Sequence, residues 1–66
     1  MKNTVKVERA KQNITQQELA ERIGVSRQTI NSVETQKYIP STVLALKIAA
    51  AFNTTVNAIF ELEDDD

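Results

Sequence analysis

The sequence predicts a small all-α domain of five short helices, spanning residues 1–66 and ending in an acidic tail at 61–66. Three observations support this prediction. Apolar side chains recur at three- and four-residue spacing, which is typical of helices with one buried face. Hydroxyl side chains that can cap a helix precede several of these segments, at Thr15, Ser26, Ser41 and Thr55. Residues that tolerate a left-handed backbone follow them, at Asn13, Gly24 and Asn53.

The first helix is predicted to begin near Asn3 or Thr4 and to run to Gln12. Its spacing turns Val5 and Ala10 toward the core. The first four residues carry no strong cap signal, so the sequence fixes the end of this helix better than its start.

The second and third helices are predicted to form a tight unit between residues 15 and 36. Thr15 can cap a helix over Gln16–Ile23, and Glu18 can close a capping box with it. Gly24, the only glycine, can end that helix in the left-handed conformation. Ser26 caps the next helix only two residues later, so the two axes must cross steeply. This is the geometry of a helix-turn-helix.

The third helix, from Arg27 to about Thr35, carries the clearest functional signal. Ile30 and Val33 are its core anchors, whereas the other side chains of its first two turns are polar. Arginine can donate two hydrogen bonds to a guanine edge, and glutamine or asparagine can pair twice with adenine. The residues expected to read bases are Arg27, Gln28, Asn31 and Ser32. The alternative is that this face is simply solvated. The combination of the two caps, the small Ala20 and the turn glycine favours base reading over that alternative.

The fourth helix is predicted over Thr42–Phe52, because Pro40 forces extended geometry before it and Ser41 can cap it. An inward stripe consists of Leu44, Ile48, Ala49 and Phe52, and it is widened by Val43, Leu46, Ala50 and Ala51. This apolar stripe is wider than the single helix face that packing on one core requires. Either part of the helix touches a second protomer, or a small domain buries it on most sides.

The fifth helix is predicted over Val56–Phe60 with Thr55 as its cap. Ala58 occupies the position where an acidic residue would close a capping box, so the box stays open. Phe60–Glu63 can pair with Met1–Thr4 as a short terminal β-ribbon. Residues 64–66 are expected to be a disordered, solubilising tail.

Composition excludes several classes of function. The chain has no cysteine and no histidine, so it lacks disulfides, thiolate ligands, the commonest metal ligand and the commonest general base. We therefore expect no catalytic residue, no metal, no cofactor and no small-molecule substrate. No apolar run approaches the roughly 20 residues needed to span a bilayer. The expectation is a cytoplasmic protein that is not an enzyme and does not contact a membrane.

The charges are separated along the chain. Residues 1–37 carry seven basic and four acidic side chains, whereas residues 38–66 carry one basic and five acidic ones. The net charge of −1 therefore hides a basic half that contains the third helix. This distribution is compatible with binding to a nucleic-acid backbone.

The run TQQELAERIGVSRQTINSVE, followed by KYIPS and LALKIAAAF, resembles the Cro/Xre family of phage-repressor-like transcriptional regulators over about residues 5 to 60. The resemblance implies a compact five-helix, lambda-repressor-like helix-turn-helix domain. The positions that match the family's polar start, apolar anchors, small residue and turn glycine are Gln16, Leu19, Ala20, Ile23, Gly24, Val25, Ile30 and Val33.

The resemblance also implies roles outside the third helix. It pairs Arg9 with Glu34 as a structural ion pair, the alternative being an Arg9 contact with phosphate. It makes Gln16 a residue that clamps the DNA backbone and steadies the first side chain of the reading helix, the alternative being a polar helix start. Contacts with DNA phosphates are expected from Gln16, Ser26, Thr35, Lys37 and Tyr38. Gln36 stands where the family usually has glycine, so the backbone there is either left-handed or closes the helix differently.

The function predicted is that of a sequence-specific regulator of transcription, a repressor, that binds double-stranded DNA as a homodimer on a palindromic operator. One reading helix reaches too few base pairs to select a site alone. The alternative is an antitoxin-like protein-binding module, in which the apolar fourth helix and the acidic end grip a protein partner with or without DNA binding.

Overall fold

Five α-helices and a two-stranded β-ribbon make up the fold, as a computed structural model describing residues 1–66 shows. The helices are α1 (Val5–Gln12), α2 (Gln16–Ile23), α3 (Arg27–Glu34), α4 (Thr42–Ala51) and α5 (Val56–Ile59). The ribbon joins β1 (Lys2–Asn3) to β2 (Phe60–Glu61) in antiparallel register, with Lys2 opposite Glu61 and Asn3 opposite Phe60. The predicted five-helix fold and its terminal ribbon are confirmed.

The ends of the helices follow the stereochemistry of the residues that flank them. Thr15 forms the capping box with Glu18, and Ser41 accepts a hydrogen bond from the Leu44 backbone N–H. Asn13 and Asn53 both take the left-handed conformation, each with φ 55°. These side chains and turns satisfy backbone groups that a helix end leaves without partners.

Two helix ends differ from the prediction by one or two residues because of the ribbon. The Asn3 side chain accepts a hydrogen bond from the Val5 backbone N–H at 3.1 Å, so α1 begins at Val5. Phe60 pairs with β1 and therefore leaves α5, which ends at Ile59. Thr55 precedes α5 but makes no side-chain capping bond, contrary to the prediction.

The core is entirely apolar and receives side chains from all five helices and from β2. Leu19, Ile30, Ile48, Val5 and Val33 are its largest fully buried side chains, and no polar or charged residue belongs to it. The prediction that Ala10 faces inward is wrong: it is exposed. Every polar side chain that could take part in recognition therefore lies outside this core.

The acidic end of the chain folds back on the first residue, although a disordered tail is predicted. The Met1 amine donates to an Asp66 carboxylate oxygen at 2.9 Å and pairs with Glu63 at 3.0 Å. The hydrogen bond to Asp66 raises the pKa of the Met1 amine. The hydrogen bond from the Glu63 backbone N–H lowers the pKa of the Asp66 carboxyl. None of the five helices has the length and apolar character needed to cross a membrane.

Candidate nucleic-acid interface

The turn between α2 and α3 is set by one glycine and one serine. Gly24 has φ 76°, and its backbone N–H donates to the Ala20 carbonyl at 2.9 Å. A Cβ at this position would meet no atom within 4 Å, so the backbone angle, and not space, calls for glycine here. The Ser26 hydroxyl then accepts from the Thr29 backbone N–H at 3.1 Å. These local bonds end α2 and begin α3 within three residues.

The α3 helix has one buried and one exposed side. Ile30 and Val33 are 0% and 1% exposed, which fixes the helix on the core. Arg27, Gln28 and Asn31 are exposed on the opposite side. Residues three and four apart are neighbours on a helix surface, so these three side chains form one continuous polar face. Ser32, the fourth predicted base-reading residue, is half-buried at the edge of this face.

A pair of hydrogen bonds ties α1 to the C-terminal end of α3. The Arg9 guanidinium donates through Nε to Glu34 Oε2 at 2.6 Å and through Nη2 to Glu34 Oε1 at 3.0 Å. Arg9 Nη1 also donates to the Ile14 carbonyl at 3.0 Å. The two side chains are only 14% and 5% exposed, and the hydrogen bond to Glu34 raises the pKa of Arg9. The structure thus brings together the two residues that the resemblance pairs.

Gln16, at the start of α2, extends this network to the exposed face of α3. Its Nε2 donates to Glu34 Oε1 at 3.1 Å and to Asn31 Oδ1 at 3.2 Å. The resemblance implies a contact with the first side chain of the reading helix, whereas the structure shows a contact one turn later. Because Asn31 Oδ1 faces Gln16, the two protons of Asn31 Nδ2 stay free for an acceptor outside the protein.

The backbone at Gln36, just after α3, takes the first of the two conformations considered for it. This residue is left-handed, with φ 62°, although it is not a glycine. Its backbone N–H donates to the Val33 carbonyl at 3.1 Å, and the Lys37 N–H donates to the Ser32 carbonyl at 2.9 Å. These two bonds form the Schellman arrangement that normally ends a helix at glycine. The end of α3 therefore has the hydrogen bonds of a glycine-terminated helix, although glutamine is less favourable than glycine in a left-handed backbone.

The residues predicted to bind phosphate at the end of α3 differ in whether their hydrogen-bond donors are free or already bonded within the protein. Lys37 is exposed and takes part in none of the ion pairs. Tyr38 is 44% exposed. The Thr35 hydroxyl already donates to the Asn31 carbonyl at 2.8 Å, so its single proton is occupied. The backbone N–H groups of residues 35–38 are also bonded, so the free donors of this stretch are the side chains of Gln36, Lys37 and Tyr38.

The first turn of α2 supplies further free donors. The backbone N–H groups of Gln16 and Gln17 precede the first intrahelical bond, and no acceptor within the chain pairs with them. Such groups, together with the positive end of the helix dipole, make an anion-binding surface. The Ser26 hydroxyl, which contacts Thr29 Oγ1 at 2.9 Å, stands at the corresponding end of α3.

Comparison with known proteins matches this architecture to one family. The family model described as Helix-turn-helix matches residues 5–59. The chain belongs to this helix-turn-helix family, of the Cro/C1 type. The resemblance to Cro/Xre regulators predicted from the sequence is therefore confirmed. The family consists of DNA-binding regulators of transcription, which is not an enzyme class.

Similar helix-turn-helix proteins occur in archaea and bacteria. An uncharacterized HTH-type transcriptional regulator of Methanocaldococcus jannaschii is 52% identical over 66 residues, covering 100% of both chains. The regulator YgzD of Bacillus subtilis, also uncharacterized, is 44% identical with the same coverage. A third, from Archaeoglobus fulgidus, is 47% identical over 100% of this chain and 93% of its own length.

Asn3, in β1, supports the helix-turn-helix in a way that sequence reasoning missed. Its Nδ2 donates to the Val33 carbonyl at 2.9 Å, so the ribbon holds the C-terminal end of α3. Asparagine just before a helix is a capping signal, and the bond from Val5 N–H could have been found from it. The contact with Val33 joins residues 30 positions apart and has no local signal.

Proposed function

We propose that the chain is a sequence-specific, double-stranded DNA-binding regulator of transcription that acts as a repressor. It binds a palindromic operator as a homodimer. One observation supports this above all: Arg27, Gln28 and Asn31 form an exposed polar face on a helix whose opposite side is fully buried. The major groove of B-DNA admits an α-helix, so such a face can reach the base edges there.

The α3 face reads bases through its long side chains. Arg27 can pair with the O6 and N7 acceptors of guanine, and Gln28 and Asn31 can each pair with the donor and acceptor of adenine. Ser32, at the edge, can contribute a single bond. Each good bidentate pair discriminates against the wrong base by about 1–3 kcal/mol.

Phosphate contacts fix the position of this face in the groove. The free N–H groups at the start of α2, the Gln16 side chain and the Ser26 hydroxyl form one set. Lys37 and Tyr38 form the other set at the end of α3, and Thr35 can join it only by giving up its hydrogen bond to the Asn31 carbonyl. Ser26 lies at the start of α3, whereas the Gln16 side chain lies beside Glu34 at its end, so phosphate contacts can form at both ends of the reading helix. Such contacts orient a protein but carry no sequence information.

Two copies are needed for useful selectivity. A pair related by a two-fold axis reads a palindrome whose half-sites lie about 34 Å apart, one turn of the duplex. Repression then follows from occupancy, since a bound dimer excludes other proteins from the same stretch of DNA.

The test selects bound duplexes from a random DNA pool and then measures affinity for the selected site. Arg27→Ala and Gln28→Ala are each expected to weaken binding by about 5- to 150-fold, the equivalent of one bidentate contact. The matched controls are Arg22→Ala and Gln12→Ala, which make the same chemical changes at exposed positions of α2 and α1. Equal losses in the controls, or no loss in the α3 variants, would contradict the proposal.

A protein-binding module is the second candidate, and one observation favours it. Ile39, Val43 and Leu46, on α4 and the loop before it, are 63%, 63% and 55% exposed. If Arg27→Ala and Gln28→Ala leave every DNA affinity unchanged while another protein still binds the chain, this candidate replaces the first.

A further inference from the structure

Two hydrogen bonds from different parts of the chain meet at the Val33 carbonyl, in the last turn of α3. The Asn3 Nδ2 donates to it at 2.9 Å, and the Gln36 backbone N–H donates to it at 3.1 Å. A carbonyl oxygen has two lone pairs, so it can accept both bonds. The bond from Gln36 belongs to the turn that follows α3, whereas the bond from Asn3 comes from β1. This oxygen therefore links the β-ribbon to the turn.

The turn after α3 has few other contacts to hold it. The backbone N–H groups of residues 35–38 donate only to carbonyls in the last turn of α3, and the side chains of residues 35–39 are exposed. Gln36 is also left-handed, a conformation that is unfavourable for residues other than glycine. Asn3 is the one residue outside α3 and the turn that donates a hydrogen bond to these carbonyls.

The Asn3 side chain is itself held in place. Its Oδ1 accepts from the Val5 backbone N–H at 3.1 Å, which turns Nδ2 toward α3. In the ribbon, Asn3 lies opposite the buried Phe60, and the next backbone N–H, that of Thr4, donates to the Ile59 carbonyl at 3.0 Å. Both ends of the Asn3 amide are therefore bonded, and its orientation is set by the ribbon and the start of α1.

The turn carries a cation that is proposed to contact DNA phosphate. Lys37 directly follows Gln36, is exposed and takes part in none of the ion pairs. A phosphate contact gains affinity when the cation is in place before DNA arrives, because ordering a mobile segment on binding costs free energy. We infer that Asn3 is a positioning residue for DNA binding, which fixes the turn that carries Lys37 through the Val33 carbonyl. This inference rests on the proposed DNA binding and adds a role for the ribbon.

Asn3→Asp tests the inference, because it removes the donor of the side chain and keeps its acceptor. Asparagine and aspartate side chains both accept from the backbone N–H two residues on, so the bond from Val5 is retained. The Val33 carbonyl, by contrast, loses its bond from β1. Without DNA, hydrogen exchange of the Gln36 and Lys37 backbone N–H groups, measured by NMR, is expected to be about 3- to 10-fold faster than in the wild type, the equivalent of one net hydrogen bond.

Two controls isolate the hydrogen bond to Val33. Lys2→Gln makes the same change of one charge unit at the neighbouring residue, whose ion pair is with Glu61 and not with α3. Ile59→Val removes a methyl group from a side chain that is 3% exposed beside the ribbon, so it destabilises the fold without removing either bond of Asn3. Both controls should keep the wild-type exchange rates at the turn.

Affinity for the selected duplex is the second measurement. Asn3→Asp should weaken binding by about 3- to 10-fold per protomer, whereas Lys2→Gln and Ile59→Val should weaken it less. The base preference at each operator position should stay that of the wild type, because the core fixes the base-reading face of α3. In a Lys37→Gln background, Asn3→Asp should cost no more affinity than Lys2→Gln does, because the cation that Asn3 positions is gone. A residue that only stabilised the fold would cost the same affinity in both backgrounds.

The outcomes separate this inference from the proposed function. If Asn3→Asp matches Lys2→Gln in hydrogen exchange or in DNA affinity, the positioning role is overturned while DNA binding stands. Equal losses of affinity with and without Lys37 would also overturn it. If Asn3→Asp speeds exchange at the turn but the wild type selects no duplex from the random pool, the proposed DNA function is overturned, and the role of Asn3 in DNA binding with it.

Discussion

The Arg9–Glu34 pair ties α1 to the C-terminal end of α3 through two side-chain hydrogen bonds. Arg9→Ala would leave the Glu34 carboxylate, 5% exposed, without its bidentate partner. We expect a loss of about 3–5 kcal/mol in the free energy of unfolding, measured by urea denaturation, because a buried charge is left unpaired. Lys11→Ala is the control, since Lys11 is 68% exposed in its pair with Glu8 and should cost about 1 kcal/mol or less. Similar losses in the two variants would contradict a structural role for Arg9.

Gln16 is expected to act on base reading through Asn31. Gln16→Ala removes the donor that holds Asn31 Oδ1, so the Asn31 amide becomes free to rotate. The predicted effect is a loss of base preference at the one operator position that Asn31 reads, smaller than the about 1–3 kcal/mol of a full bidentate contact. Affinity ratios for the four bases at each operator position measure it.

The control for this prediction is Gln17→Ala, because the Gln17 side chain bonds only Glu21 of its own helix at 3.2 Å. Asn31→Ala should remove the same base preference as Gln16→Ala. The double variant should lose no more base preference at that position than Asn31→Ala alone. Additive losses would show that the two side chains act separately.

The end of α3 carries strain that one substitution can relieve. A left-handed backbone costs most residues about 1–2 kcal/mol, and Gln36 has φ 62°. Gln36→Gly is expected to stabilise the protein by about 0.5–1 kcal/mol, since the more flexible unfolded chain offsets part of that gain. The denaturant midpoint measures this. Thr35→Gly, next to it at φ −88°, should destabilise instead. Stabilisation by both glycines would contradict the explanation.

The start of α2 makes stability depend on pH. The hydrogen bond from the Thr15 backbone N–H lowers the pKa of the Glu18 carboxyl below its ordinary value of 4.5. The charged form is therefore favoured by folding, so its contribution is present above the ordinary pKa and is lost as the pH falls through the folded pKa. Glu18→Gln keeps an acceptor but cannot titrate.

We expect Glu18→Gln to lose less stability on acidification than the wild type, as measured by thermal unfolding across a pH series. Glu21→Gln, on the same helix but outside the cap, should retain the acid-induced loss that the Glu18 cap causes. A Glu18→Gln profile parallel to that of the wild type would contradict the assignment.

Elements with signals at both ends could be predicted closely, and contacts between distant segments could not. α2 has a capping box at Thr15 and a left-handed glycine at Gly24, and its bounds agree with the prediction. Both signals are local stereochemistry. α1 and α5 shifted because Asn3 and Phe60 meet in the ribbon. The acidic tail was expected to be disordered, since no local pattern encodes its bond to the Met1 amine.

The candidate site also contains features that local sequence patterns predict and contacts between helices that they do not. The exposed face of α3 follows from helical spacing alone, because Ile30 and Val33 fix which side is buried. The partner of Gln16 depends on the crossing of α2 and α3, which places Asn31 and not the start of α3 within its reach. The roles of these side chains on DNA stay predictions.

At the scale of the whole molecule, the charges favour contact through the helix-turn-helix. Several acids of the second half are engaged at the ribbon, where Glu61 pairs with Lys2 at 3.5 Å and the Met1 amine pairs with Glu63 and Asp66. The Arg27 and Lys37 side chains of the first half have no such partner in the chain. These two cations are therefore available to displace counterions from DNA.

DNA affinity is therefore expected to fall with salt, because each phosphate neutralised by a cation releases counterions. Lys37→Gln should reduce the slope of log affinity against log salt by about 1 per protomer and should weaken all operator sequences alike. Fluorescence anisotropy over a salt series measures the slope. The control is Lys11→Gln, which removes the same charge from α1 at a side chain already paired with Glu8 at 3.0 Å. A slope near zero in the wild type, or an equal reduction in both variants, would mean that the loop after α3 does not contact the phosphate backbone.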